Sequence, residues 1–323
     1  LHFREIQTEV TQKRFRAVDF IIPVLHNNEP SAYVLIGDID EEGEGMSPLI
    51  KHLHFIQTIS GIIVVAIENQ RLFMESLRQE ALRRELELAA RMQMMLIPDN
   101  THLPCGDAIR ARGFYYPHYE VGGDYYDFMS LSDSVVGFCI ADVSGKGMSA
   151  ALLMSNFQAS LRALFTVDAN LGELIRKLND LVVTNSSGER FITLFIARYD
   201  MRTRELEYVN AAHNPPVIIN KNSGQSSILR QSCVGVGMLD EMPWVRTDHL
   251  TLKSPTKIIC YTDGLSELKD DNGRDLGISP VVKHFPNGNS LDENIDALIN
   301  DINISNGNPR LFDDVSILAV EIL

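Results

Sequence analysis

Three strongly apolar runs in this chain, VVGFCIA, KIICYT and VSILAVEIL, each abut an aspartate. Asp142 follows the first, Asp263 follows the second, and the pair Asp313 and Asp314 precedes the third. A fourth stretch, VGGDYYD, holds Asp124 and Asp127. Short runs of this kind read as strands with buried bodies, whose ends sit at a sheet rim. Carboxylates at four rims can converge on one point. Like charges that close repel and raise one another's pKa unless a cation sits between them. Mg²⁺ and Mn²⁺ answer this, because they take carboxylate, carbonyl and water oxygens. Gly122, Gly123, Gly145, Gly147 and Gly264 flank these aspartates and let the backbone turn sharply beside a metal. No His or Cys falls inside the four motifs, which disfavours zinc. The GKG at residues 145–147 lacks the G-x-x-x-x-G-K-[ST] spacing, so P-loop nucleotide binding is rejected.

Composition narrows the class further. The chain has 323 residues, 45% of them hydrophobic, enough for a sizeable core and about two domains. With 29 Lys and Arg against 43 Asp and Glu, the net charge is −14. That argues against nucleic acid or an anionic membrane as a partner, since either wants a basic face. Cys105, Cys139, Cys233 and Cys260 lie far apart with no C-x-x-C pair, so a reducing cytoplasm is expected. The longest apolar stretch, residues 59–67, is interrupted by Ser60 and Gly61 and falls far short of a membrane span. The chain is polar from its fourth residue and does not read as a signal peptide. The sequence opens on Leu1 rather than Met, as a fragment of a longer protein would.

Three parts follow along the chain: residues 1–69, 70–98 and 99–323. In the first, residues 20–24 and 32–36 read as two strands separated by a turn cluster. The acidic stretch DIDEEGEG reads as a loop, and a helical pattern runs from Pro48 to Ile67. In the second, the chain from Glu68 to Leu96 has no Pro or Gly and is rich in strong helix formers. Leu82, Leu86, Ala89 and Leu96 fit a heptad seam with Gln93 as its polar exception, and Pro98 stops the helix. Glu80–Arg84 and Glu87–Arg91 are supporting i,i+4 pairs. The seam suits either a dimerising signal relay or a rigid linker docked on a neighbouring domain. In the third part, strands are expected at 135–141, 191–199, 216–219, 257–261 and 315–322. Helices are expected at 149–165, 171–183 and 292–302. Regular strand–helix alternation is missing, which favours an α+β fold with antiparallel sheets covered by helices over a doubly wound parallel sheet.

Residues 86–323 resemble the SpoIIE type of bacterial serine phosphatase, within the wider metal-dependent, type 2C-like protein phosphatases. The resemblance rests on ELELAARMQMMLIP, VGGDYYD, IADVSGKGMSAALLMS, FITLFIARYD, YVNAAHNPP, CVGVGML, YTDGLSE and DDVSIL. It implies a four-layer α-β-β-α sandwich of two antiparallel sheets, preceded by a long linker helix and a small α/β sensor-like segment. It also implies a centre of two divalent cations, Mn²⁺ or Mg²⁺. Its ligands map onto Asp124, Asp142, Asp263 and Asp313, with the carbonyl of Val143 as a further one. Asp124, Asp142 and Asp263 are the expected catalytic groups and Asp142 the expected bridge. Asp314 is assigned a structural role, and Asp127 and Glu267 an outer supporting or helix-start role.

Two departures from the wider family stand out. Ser144 occupies the position where eukaryotic relatives carry a histidine, so a side-chain general acid is absent there. Ala212 replaces the glycine of an N-A-G-H-N loop, which puts a left-handed turn at that point in question. His213 is read as structural, and Asn210 and Asn214 as turn-fixing groups. Residues 1–69 look like the C-terminal half of a GAF-type sensor domain. The activity implied is a protein serine/threonine phosphatase acting on a phosphorylated STAS-type anti-anti-sigma factor, with a homodimer formed through the linker helix. The alternatives are a non-catalytic signalling module and a small-molecule phosphoesterase.

Overall fold

A computed structural model of the protein describes residues 20–26, 29–36, 48–270, 273–304 and 312–323. The chain divides into two compact units, Leu1–Arg84 and Glu85–Leu323.

In the first unit, β1 (Phe20–His26) and β2 (Glu29–Ile36) pair antiparallel, with a register shift at Val24/Leu25. The stretch DIDEEGEG lies outside the described residues. Helix α1 (Pro48–Met94) follows, and the division between the units falls inside it. The two helical stretches expected from sequence are therefore one 47-residue helix. Gly61 leaves it unbroken, having no neighbour within 4 Å and costing only its own propensity, about 1 kcal/mol. Glu80 and Arg84 form the expected i,i+4 pair at 3.1 Å. Among the described residues, no helix is long and apolar enough to cross a membrane.

The second unit holds two five-stranded antiparallel sheets. One has the order β10 (Asp248–Thr251), β7 (Glu205–Ala211), β6 (Ile192–Asp200), β5 (Val135–Val143), β4 (Tyr125–Ser130). The other runs β3 (Ile109–Tyr116), β12 (Val315–Ile322), β11 (Thr256–Tyr261), β8 (Val217–Asn220), β9 (Ser226–Ile228). The helices are α2 (Met148–Leu164), α3 (Leu171–Ser186), α4 (Asp263–Ser266), α5 (Ser279–His284) and α6 (Leu291–Asp301).

Side-chain alternation builds the layers. Leu318, Val320 and Ile322 of β12 join the inner core with Ile258 and Cys260 of β11, Phe138 and Ile140 of β5, and the apolar faces of α2 and α3. Val315, Ile317 and Ala319 point the other way and pack with Val281 and Phe285 of α5 and its C-terminal end, and with Ile295 and Leu298 of α6. A strand buried on both faces reads as an unbroken apolar run, which is why VSILAVEIL stood out. The result is the α-β-β-α order, α+β in class. Helix α6 opens with a capping box, Ser290 and Glu293, which fixes its start.

Candidate metal centre

Register places the acidic groups at one end of both sheets. Tyr125 pairs with Ala141, so Asp124 lies beside Asp142 near the end of β5. Tyr261 pairs with Ile317, so Asp263 just past β11 lies beside Asp313 and Asp314 just before β12. Val315 pairs with Tyr116, and residues 117–124 connect β3 to β4 at this same end.

Close approach here depends on glycine. A Cβ on Gly264 would land on the Asp314 carbonyl oxygen, and one on Gly122 would overlap the Asp314 carboxylate and the Tyr115 hydroxyl. A Cβ on Gly123 would stand 2.9 Å from the Val143 carbonyl oxygen, which marks how near β5 comes to this loop.

The carboxylates differ in what they touch. Asp124 is buried and accepts from the fully buried Thr262 hydroxyl at 2.8 Å, while Thr262 Oγ1 itself accepts the Ser316 N–H at 3.0 Å. Asp314, also buried, accepts the N–H groups of His118 and Gly123, both at 2.8 Å. It therefore ties residues 117–124 to the start of β12. Asp142, Asp263 and Asp313 are half-buried. Asp313 turns to Lys146, whose Nζ lies 2.8 Å from its Oδ2 and also donates to the Phe312 carbonyl.

Burial and mutual repulsion act on this group as carboxylates gathered together require. Burial, then the charges of Asp142 and Asp314, push Asp124 well above the usual carboxylate range, and the hydrogen bond from Thr262 offsets part of that. Burial, then Asp263, Asp313 and Asp314, raise Asp142 to about 7. Asp263 is raised by burial, then by Asp313 and Glu267. Asp314 is raised by burial against the pull of its backbone donors.

A divalent cation fits these residues. The donor set is all oxygen, the set is acidic and largely enclosed, and the Tyr115 hydroxyl beside Asp124 and Asp314 has no hydrogen-bond partner. Among the described residues, no group of three or more His, Cys, Asp or Glu side chains is arranged so as to hold a metal ion. The pairing of Asp313 with Lys146 holds one of the five aspartates toward a different cation.

Other residues fall in different places. Asp127 is not at a helix start and does not face this group. It sits in β4, fully buried, with a bidentate pair from Arg162 at 2.7 and 2.9 Å and a hydrogen bond from the Tyr125 hydroxyl. Strand alternation explains this, because Tyr125 and Asp127 share one face of β4. Glu267 lies at the C-terminal end of α4, not at its start. Ser144 accepts the Phe191 N–H at 2.9 Å with its hydroxyl. Ala212 does adopt the left-handed turn, at φ 54°. Asn210 accepts the His213 N–H at 2.9 Å, and Asn214 donates to Ser266 at 3.0 Å. His213 is buried with Nδ1 2.8 Å from the hydroxyl of Thr193, the cross-strand partner of Asp142, and burial lowers its pKa to about 4.

Sequence reasoning missed Thr262, Tyr115, Lys146 and Arg190, and saw Gln93 only as a flaw in a heptad. Gln93 is buried near the C-terminal end of α1 and bonds the backbone of Gly122, two residues from Asp124. Only the motif neighbours of Thr262 and Lys146 offered a signal.

The family model described as Stage II sporulation protein E (SpoIIE) matches residues 132–323. A curated relative, phosphoserine phosphatase RsbU of Bacillus subtilis, is 28% identical over 195 residues, covering 60% of this chain and 57% of that protein. The chain spans about half the length of the curated relatives it matches. The SiaA-PP2C domain of Pseudomonas aeruginosa shares the fold with a TM-score of 0.62 at 19% identity, over 75% of this chain and 97% of that one. The structure of RsbX in complex with magnesium aligns with a TM-score of 0.54 at 15% identity, over 69% and 99%.

Proposed function

This chain belongs to the SpoIIE family, and from that premise we propose that it is a metal-dependent protein serine/threonine phosphatase. The observation that carries the reading is the gathering of Asp124, Asp142, Asp263 and Asp313 from both sheets at one sandwich end, where burial and like charge raise Asp124, Asp142 and Asp263. RsbU is named a phosphoserine phosphatase, and RsbX binds magnesium, which supports the same assignment here.

In this reading Asp124, Asp142, Asp263, Asp313 and the Val143 carbonyl would hold two divalent ions, Mn²⁺ or Mg²⁺. Held there, divalent ions would supply a water of lowered pKa and positive charge opposite the phosphate oxygens. The protein's own residues supply position. Thr262 orients Asp124, and Asp314 braces the loop that carries it. Ser144, whose hydroxyl accepts the Phe191 N–H, carries no imidazole to serve as an acid where eukaryotic relatives carry histidine.

The substrate is a phosphorylated STAS-domain protein of a partner-switching pathway in the cytoplasm. Residues 1–69 act as a sensor, 70–98 as a switch helix and 99–323 as the phosphatase. Exposed Leu72, Phe73, Leu77 and Leu82 on α1 support a homodimer through that helix. Leu86 and Ala89 are only half-exposed and Gln93 is buried, so the C-terminal end of the seam is docked.

The test is phosphate release from a panel of phosphorylated STAS proteins with Mn²⁺. Asp142→Ala and Asp263→Ala should each abolish turnover, and undiminished turnover in both overturns the mechanism.

A further inference from the structure

Lys146 lies between two glycines in the left-handed region, Gly145 at φ 88° and Gly147 at φ 75°. Arg190 locks this loop from behind. Its Nη1 donates to the Ser144 carbonyl at 2.5 Å and its Nη2 to the Ser149 hydroxyl at 2.8 Å. A side chain on Gly145 would collide with that guanidinium. The fixed loop brings the Lys146 ammonium to the rim of the acidic cluster. There it takes Asp313 Oδ2 at 2.8 Å and the Phe312 carbonyl. Among the described residues, no ammonium or guanidinium forms an ion pair with Asp124, Asp142 or Asp314, whose neighbours are hydroxyls, backbone N–H groups and one another. The Lys146 charge also acts on Asp263 and Asp314, without an ion pair to either.

A carboxylate oxygen already bonded to an ammonium is a poorer ligand. A divalent ion at Asp313 must displace the lysine or accept a like charge beside it. We propose that Lys146 is an internal counter-ion that competes with the divalent cation for Asp313, and so sets how tightly this end of the centre holds metal. The proposal rests on the reading of Asp313 as a metal ligand. It requires no change of protonation, and no bond is made or broken beyond the exchange of one cation for another. The Lys146 side chain is 41% exposed, so its replacement leaves the core untouched.

The experiment is calorimetric titration of the full chain with Mn²⁺, without substrate, for wild type, Lys146→Gln, Lys146→Arg and Lys146→Gln/Asp313→Asn. Removing the charge should tighten the Asp313-dependent binding step by roughly ten-fold, the ratio that corresponds to about 1.4 kcal/mol. Lys146→Arg, which keeps the charge, should stay near wild type, and the double variant should lose the tightening. Mn²⁺ affinity in Lys146→Gln equal to or weaker than wild type, with the binding steps still present, overturns this proposal and leaves the metal centre standing. Absence of any Mn²⁺ binding in wild type and in every variant overturns the metal-centre reading, and this inference with it.

Discussion

Gln93 holds Gly122 with both amide atoms: Oε1 accepts the Gly122 N–H at 3.1 Å and Nε2 donates to the Gly122 carbonyl at 2.6 Å. Both groups are buried, so truncation leaves a donor and an acceptor unmet. Gln93→Ala should cost about 2 kcal/mol in urea unfolding. Gln93→Glu should cost at least as much, because it sets an acceptor against the Gly122 carbonyl. A Gln93→Glu protein as stable as wild type would show that this pairing does not hold the loop.

Ala212 pays for its φ of 54° with a Cβ that crowds its own backbone. Ala212→Gly should relieve this and stabilise the protein by about 1 kcal/mol, despite the usual entropic cost of glycine. A raised urea midpoint with an unchanged slope is the expected signature.

His213 ties stability to pH. Its folded pKa of about 4 lies below its ordinary 6.5, because burial opposes the charged form. The unfolded chain therefore binds more protons between these values. The contribution is fully present above 6.5 and is lost as pH falls toward about 4. The loss is at most about 3 kcal/mol. His213→Gln should flatten stability across that window, as measured by urea unfolding at pH 7, 5.5 and 4.5.

Asp127 and Arg162 make a pair with one buried end, Asp127 at 0% exposure and Arg162 near half. Arg162→Ala strands the carboxylate and should destabilise by about 3 kcal/mol. Mn²⁺ binding, measured by the same titration below the melting point, should persist, because Asp127 takes no part in the acidic cluster. Loss of Mn²⁺ binding in a folded Arg162→Ala protein would place Asp127 nearer the cluster than its contacts imply.

The legible parts of the sequence were those with local signatures. Apolar runs buried on one or both faces gave β5, β11 and β12, and an aspartate at the end of each marked the rim where Asp124, Asp142, Asp263 and Asp313 come together. Strands such as β9 and β10 were not legible, since at three and four residues, mostly exposed, they carry no hydrophobic period. The continuity of α1 was masked by Gly61 and by a shift from apolar to charged composition, neither of which breaks a helix. Long-range partners left no trace. Thr262 reaches Asp124 across 138 positions, and Arg162 reaches Asp127 across 35. Asp127 was misplaced because it shares a motif with Asp124, although a strand turns alternate side chains to opposite faces.

Strand β12 lies between β3 and β11, pairing Val315 with Tyr116 across 199 positions, and it begins just after Asp313 and Asp314. A chain still on the ribosome with β12 inside the exit tunnel has β3 cut off from the rest of its sheet and an acidic cluster short of two members. Ordered closure of that gap is a long-range event, of the kind that folds slowly. The acidic cluster of the nascent chain would thus stay incomplete until residues 313–322 have left the tunnel. A proteolytic nick that frees β12 would return the folded chain to the same incomplete cluster.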